Sequence, residues 1–413
     1  MRKAVYAVVC AVGLIGAAVA EPIPLRHGVG VHGWLNWSPV EKDGSYRWPP
    51  YRDEREWLSD GRPLSDWPTS DPFALIRSLG FDFVRLSVDP GPLLASEGDR
   101  RRQALERLGA AVERIASAGL KVVFDLHGVA QVPAYGMEMI AGGADSDGVR
   151  RYRAMVVEVA AMLSRIGAGK VALEPYNEPA YYPCPSGGKT DWQRIMRETV
   201  RDIRSVSREL TVVVTGACGG EVAGLVDLTP DFDDPNLYYS LHMYEPHSFT
   251  HQRPEGRGLF ASGLPWPART STPEAVARAL DQRMEAAGLS IAQRKLETMA
   301  ARKRIARYFA QDWGLAQLTA RLRQAVDWAQ SHGIPSRRLF IGEFGAIRIS
   351  ADGRAGAFDA DRLRYLQAVR EEAERFGIPW AIWEFSNPYG MSVIEPEGPA
   401  VPDRAMLRAL GLP

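Results

Sequence analysis

Eight short runs rich in β-branched and aromatic residues recur along this chain, at 28–32, 83–88, 121–126, 171–176, 211–215, 237–241, 339–343 and 380–385. Stretches with helical periodicity separate them. In 101–118, Leu105, Leu108, Val112 and Ile115 return at three- and four-residue steps, which makes one apolar stripe. Gly119 follows, where a helix needs a residue that tolerates a left-handed turn. Similar patterns cover 149–165, 191–208, 315–330 and 359–376. Strands alternating with helices imply βα units and a parallel sheet, and eight of them imply a closed (β/α)8 TIM barrel. The expected fold class is therefore α/β, one domain.

Two connections are longer than a barrel needs. One runs from Trp34 to Trp67 after the first strand and is rich in Trp, Pro and Asp. The other follows the sixth strand and holds a charged, helix-prone insertion over about 245–335. No repeat or low-complexity linker divides the chain.

The first twenty residues stand apart. Arg2 and Lys3 precede an apolar run from Tyr6 to Ile15, and Ala18-Val19-Ala20 offers small residues for cleavage. That order reads as a secretory signal peptide over 1–20, with the folded catalytic domain over 21–413. The apolar run is short for a membrane span. A secreted or periplasmic bacterial protein with no membrane anchor is expected. After export Cys184 and Cys218 remain, too few for a disulfide framework or a zinc ribbon. Whether they are bridged or free stays open.

Composition narrows the partners. Lys and Arg number 50 against 50 Asp and Glu, a net charge of zero. Such a surface has no general attraction for nucleic acid or anionic lipid. An uncharged substrate suits it, and a monomer needing no cofactor and no metal is expected.

In a barrel of this kind the reactive groups gather where strands end and βα loops begin. The residues there are His32, Arg85, His127, Asn177-Glu178, His242 with Tyr244, Glu343 and Trp383. Three of the chain's seven histidines fall in this set. Glu178 and Glu343 end the fourth and seventh strands and would face each other across the mouth. A carboxyl pair so placed fits cleavage of a glycosidic bond, with one group as proton donor and the other across the anomeric carbon. The donor needs its proton affinity raised, which the second carboxylate would do, and the other must stay ionised beside an arginine.

The ordered set Arg85, His127, Asn177-Glu178-Pro179, His242-Met243-Tyr244, Glu343 and Trp383 resembles glycoside hydrolase family 5, the cellulase family of retaining (β/α)8 glycosidases. The likeness spans strands two to eight. It implies Glu178 as acid/base and Glu343 as nucleophile. It also implies that Asn177 meets the sugar 2-hydroxyl and that Arg85 and Tyr244 orient Glu343. His127 and His242 would line the subsite beside the cleaved bond, with Trp383 stacking under the sugar. His32 and Trp34 join the substrate-binding group through the first strand and its loop. Residues 245–252, EPHSFTHQ, are similar to a loop of bacterial cellulase-like members and lean the substrate towards a β-linked glucan. The expected activity is that of an endo-β-1,4-glucanase. A β-mannanase or an exo-β-1,3-glucanase stays open, because loop shape decides between them. A metal-dependent hydrolase fits less well, since His32 has no His-x-His partner on its strand.

Loop aromatics that could stack on pyranose rings are Trp34, Trp37, Trp48, Trp67, Tyr181, Tyr182 and Trp266. Within 171–179, VALEPYNEP, strict alternation would put Glu174, Tyr176 and Glu178 on one face and Asn177 on the other. Glu174 would then lie deeper in the barrel, paired with Arg85 or His127.

Overall fold

The computed structural model describes residues 21–129, 131–181, 184, 191–254, 258–387 and 390–413. The expected signal peptide and Tyr182 fall outside these. Eight parallel strands close into a barrel in the order 1-8-7-6-5-4-3-2. They are His27–Leu35, Phe83–Val88, Lys121–Leu126, Val171–Glu174, Thr211–Thr215, Leu237–Met243, Leu339–Phe344 and Trp380–Ile382. The (β/α)8 architecture read from the sequence is the one observed.

The pleat explains why one end is inert and the other reactive. Successive inward side chains climb each strand two residues at a time. Near the start of the strands, Phe83, Val123, Ala172, Val213, Tyr238, Phe340 and Ala381 pack together with Ile23 and Leu25. The segment before the first strand is tied to this floor: the Ile23 N–H donates to Thr211 Oγ1 at 3.0 Å, and the Tyr238 hydroxyl donates to the Ile23 carbonyl at 2.8 Å. Two residues higher, the same rows carry Arg85, Asp125, Glu174 and Thr215. The apolar floor thus carries a buried polar layer.

Helices cover the outside. Gly98–Ser117 buries Ala104, Leu108, Ala111, Val112 and Ile115, and Gly119 adopts φ +80° beyond it. Asp147–Ile166, Trp192–Val206, Leu315–Ser331 and Asp359–Phe376 continue the ring. Between strands six and seven, Pro273–Ala286 and Ile291–Gln311 form two additional helices. A short parallel pairing of Ala261–Ser262 with Ala355–Gly356 lies outside the barrel.

Two strand ends depart from simple alternation. The fourth strand stops at Glu174. Beyond Pro175, Tyr176 turns outward between Tyr152 and Trp192, and its hydroxyl lies 3.0 Å from Thr199 Oγ1. Tyr176 therefore does not share a face with Glu174. The strand ends because Pro175 has no N–H to give to the sheet. On the seventh strand Leu241 pairs with Ile341 but His242 pairs with Glu343, so Gly342 is an extra residue. This bulge brings Glu343 inward, where alternation from Phe340 would point it out.

Candidate active site

Arg85 is the hub. Its guanidinium is buried and reaches four groups. Nε donates to Glu174 Oε2 at 2.7 Å, and Nη1 donates to Glu343 Oε1 at 2.7 Å. Nη2 donates to Asn177 Oδ1 at 2.8 Å, and Asp125 Oδ2 stands 3.2 Å from Nη1. A fork of fixed N–H groups suits this task, which a lysine's point charge could not perform.

Around that hub the other side chains fall into place. Tyr244 donates its hydroxyl to Glu343 Oε2 at 2.9 Å. His242 Nδ1 lies 2.8 Å from Glu178 Oε1 and 3.6 Å from Glu343 Oε2. His127 Nδ1 meets Asp125 Oδ2 at 2.8 Å, and its Nε2 lies 3.3 Å from the Asn177 amide nitrogen. His32 packs against His127 and Trp383, with ring centroids 4.9 and 4.7 Å away. Glu343 is buried, whereas the Glu178 side chain is 41 % exposed, so solvent or a ligand reaches Glu178 first. Oxygens of the two glutamates and the His242 nitrogen lie within 4.8 Å of one another.

The site's charges sort themselves by burial and neighbours. Burial pushes the Glu178 carboxyl up, but the hydrogen bond and charge of His242, helped by His127 and Arg85, leave it below its ordinary value. Proximity to the second glutamate was expected to raise it; His242 stands closer and reverses the sign. Burial lowers His242, yet Glu343 and Glu178 together hold its imidazolium above the ordinary value. Burial likewise lowers His127, and Asp125 more than offsets it. Asp125 is pushed up by burial and brought below its usual value by Arg85 and His127. Glu174 is raised by burial despite Arg85. His32 falls well below its usual range through burial and the nearby His127.

Of the residues expected in the site, Arg85, His127, Asn177, Glu178, His242, Tyr244, Glu343, Trp383 and His32 are brought together. Trp34 is not a free sugar platform. It is buried against Trp57 and Phe73, and its Nε1 donates to the Arg52 carbonyl at 3.1 Å. Trp67, Trp266 and Tyr181 also pack into the scaffold, and Trp48 donates to Gln103. Trp37 differs: it is 42 % exposed, and its Nε1 donates to His32 Nε2 at 3.0 Å.

Sequence reading missed Asp125 and Glu384. Asp125 lies two residues before His127 on one strand, so the alternation itself contained the signal. Glu384 is buried behind Trp383 and accepts the His32 N–H at 3.2 Å; burial pushes its carboxyl up to about 8. A single glutamate after an apolar run left no comparable pattern.

Glu178, His242 and Glu343 also make a donor set that can ligate a metal ion. Two of those donors are already committed, because Glu343 is held by Arg85 and Tyr244 and His242 is bonded to Glu178. A cation placed there would also face the Arg85 guanidinium. The arrangement favours acid–base and nucleophilic chemistry by the two glutamates.

The Cys184–Cys218 bridge is formed, joining the loops after strands four and five. The second of these loops supports the site, since the Gly219 N–H donates to the Pro179 carbonyl and Gly220 accepts the His242 N–H.

The sequence profile of the cellulase family (glycosyl hydrolase family 5) matches residues 56–388. Endoglucanase 3 of Fibrobacter succinogenes is 26 % identical over 220 residues, which cover 52 % of this chain and 29 % of that protein. Cellodextrinase A of Ruminococcus flavefaciens is 25 % identical over 225 residues, covering 54 % and 60 %. The chain thus spans less than two thirds of the length of either relative. A hyperthermophilic endo-β-1,4-glucanase solved with its substrate superposes with a TM-score of 0.62 at 19 % identity, covering 94 % of this chain and 97 % of that one. The cellulose synthase subunit Z of Clostridioides difficile superposes with a TM-score of 0.61 at 19 % identity, covering 94 % and 99 %. These last two likenesses concern the fold.

Proposed function

The chain belongs to glycosyl hydrolase family 5, and from that premise we propose that it hydrolyses a β-linked glucan with retention of configuration. The observation that carries the reading is the approach of Glu178 and Glu343 oxygens to within 4.8 Å. Retaining glycosidases keep their two carboxyls about 5–5.5 Å apart, whereas inverting ones leave room for water at about 6.5–9.5 Å.

Glu343 attacks the anomeric carbon while Arg85 and Tyr244 hold its two oxygens. Glu178 protonates the departing glycosidic oxygen. His242 carries that proton in the resting site and passes it across the 2.8 Å contact as Glu178 needs it. Once the glucosyl ester has formed, the same carboxylate takes a proton from water, which attacks the anomeric carbon and frees Glu343. Positioned proton transfer of this kind contributes about 10²–10⁴-fold in rate. Asn177, fixed through Oδ1 by Arg85, presents its amide to the sugar 2-hydroxyl, and His127 and Trp383 line that sugar's subsite.

An endo-acting β-1,4-glucanase, working as an exported monomer in the periplasm or outside the cell, fits the remaining features. The bridge between Cys184 and Cys218 supports an oxidising compartment. No helix among the described residues is long and apolar enough to cross a membrane.

Proton NMR of the first products from a soluble β-1,4-glucan tests the mechanism: the β-anomer appears first and mutarotates later. First appearance of the α-anomer would refute retention. Parallel assays on carboxymethylcellulose, lichenan, laminarin and mannan assign the linkage, and activity retained in EDTA rejects a metal-dependent route.

A further inference from the structure

A cleft of about 490 Å³ lies between the helix Ile291–Gln311 and the loop after strand six. Lys303, Arg304 and Arg307 line it from the helix, and His247, His251 and Arg253 from the loop. Lys303 and Arg304 stand four and three residues before Arg307, so each neighbours it on the helix surface. Glu297 is the carboxylate among the described lining residues, and its Oε2 is engaged by the Leu259 N–H at 3.0 Å. Elsewhere on this helix Arg294 is bridged to Glu285 at 3.0 Å and to Asp281 at 3.5 Å. Lys303 and Arg307 meet no carboxylate at ion-pair distance among the described residues.

The cleft adjoins the reaction centre. The His251 ring stands edge-on to Tyr244, with centroids 4.9 Å apart, and Tyr244 holds Glu343. His247 packs 5.3 Å from His251, and its Nε2 meets Glu221 at 3.0 Å in the loop that also supports His242. Glu178, the proton donor, is bonded to strand six through His242. The aromatic group of His32, Trp37 and Trp383 belongs instead to strands one and eight. A glycan held over that group with its leaving portion directed towards strand six would reach the cleft through the His251–Tyr244 contact.

Burial and the neighbouring His247 and Arg253 lower His251 to about 4. The cationic lining is therefore carried by Lys303, Arg304, Arg307 and Arg253 against the engaged Glu297. A recess of net positive charge concentrates potential, and neutral hydroxyls do not require it. Guanidinium and ammonium groups meet carboxylates and sulfates through charge-assisted hydrogen bonds. We propose that this cleft is a leaving-group-side subsite for an anionic substituent, a carboxylate or a sulfate, carried by the β-glycan; the assignment rests on the hydrolase reading above.

Calorimetric titration of the whole chain with three probes tests it: cellohexaose, cellohexaose oxidised to carboxylates at C6, and 6-O-sulfated cellohexaose. At low salt at least one anionic probe binds about fivefold or more tighter than the neutral one, as expected for a few partly exposed charge contacts. The advantage shrinks with added salt and in a Lys303→Gln/Arg307→Gln variant. Which probe gains identifies carboxylate or sulfate as the natural group. Equal affinity for all three, or an advantage that survives in the double variant, overturns the proposal. Hydrolysis of neutral cellohexaose is measured separately. Absence of cleavage with charge-dependent binding intact rejects the hydrolase reading alone, and cleavage without that binding rejects the subsite alone.

Discussion

His242 Nδ1 lies 2.8 Å from Glu178 Oε1, and the burial that should strip the imidazole of its charge is outweighed by the two glutamates beside it. In the proposed mechanism the proton donor and the proton store are separate residues that titrate as a pair. The last proton leaves the pair above the ordinary imidazole value, because the folded His242 is raised. The alkaline limb of kcat/KM therefore falls as pH rises through that point. In His242→Asn the carboxyl of Glu178 must hold the proton alone, so the alkaline limb of kcat/KM moves to lower pH. A pH–rate profile of the two proteins decides, and an unmoved alkaline limb contradicts the proton-store role.

Arg85 neutralises a buried layer of carboxylates, including Asp125 and Glu174. Removing one partner of a buried ion pair costs about 3–5 kcal/mol. Arg85→Ala should lose at least this much in urea unfolding at pH 8. The loss should lessen towards pH 5, because carboxylates left without a counter-charge inside the barrel are raised and take up protons as pH falls. A loss that is the same at both pH values would argue against this view.

Gly342 is the bulge residue that aims Glu343 inward. A Cβ there would come within 2.9 Å of Ser240 Oγ and 3.1 Å of His242 Nε2. Gly342→Ala should therefore destabilise the fold by about 1–3 kcal/mol. It should also lower kcat by at least about tenfold, since His242, which would be displaced, bonds Glu178 and stands 3.6 Å from Glu343. Thermal unfolding and steady-state rates measured together separate the two effects; an alanine variant with unchanged kcat would contradict the role given to the bulge.

The Cys184–Cys218 bridge closes a loop of sequence separation 34. By the chain-entropy estimate it stabilises the fold by about 3–4 kcal/mol. Cys184→Ser/Cys218→Ser should show that loss in urea. It should also lower kcat, because the loop it fastens holds Pro179 and His242 in place. A titration of free thiols on the denatured wild type should find none in this pair.

Much of this was legible because a barrel strand displays its inward residues at every second position. Arg85, His127 and His242 follow directly from that rule, and the rule also contained Asp125, which was overlooked. The rule fails where the backbone leaves the regular pleat. Pro175 ends the fourth strand early, so Tyr176 turns out among the helices and Asn177 turns in towards Arg85. Gly342 shifts the seventh strand by one residue. Trp34 could not be placed from sequence, because an indole in a long loop packs as readily on Trp57 and Phe73 as on a ligand. The direction of the Glu178 shift also escaped, since it depends on a 2.8 Å contact between distant strands.

The central claim is that Glu343 forms the covalent bond and Glu178 moves the proton. Incubation with a 2-deoxy-2-fluoro-cellobioside carrying a good leaving group, followed by proteolysis and mass spectrometry, tests it most directly. The account predicts one fluorocellobiosyl adduct, on Glu343, absent from Glu343→Gln and still formed in Glu178→Gln. An adduct on Glu178, or on any residue other than Glu343, would contradict it.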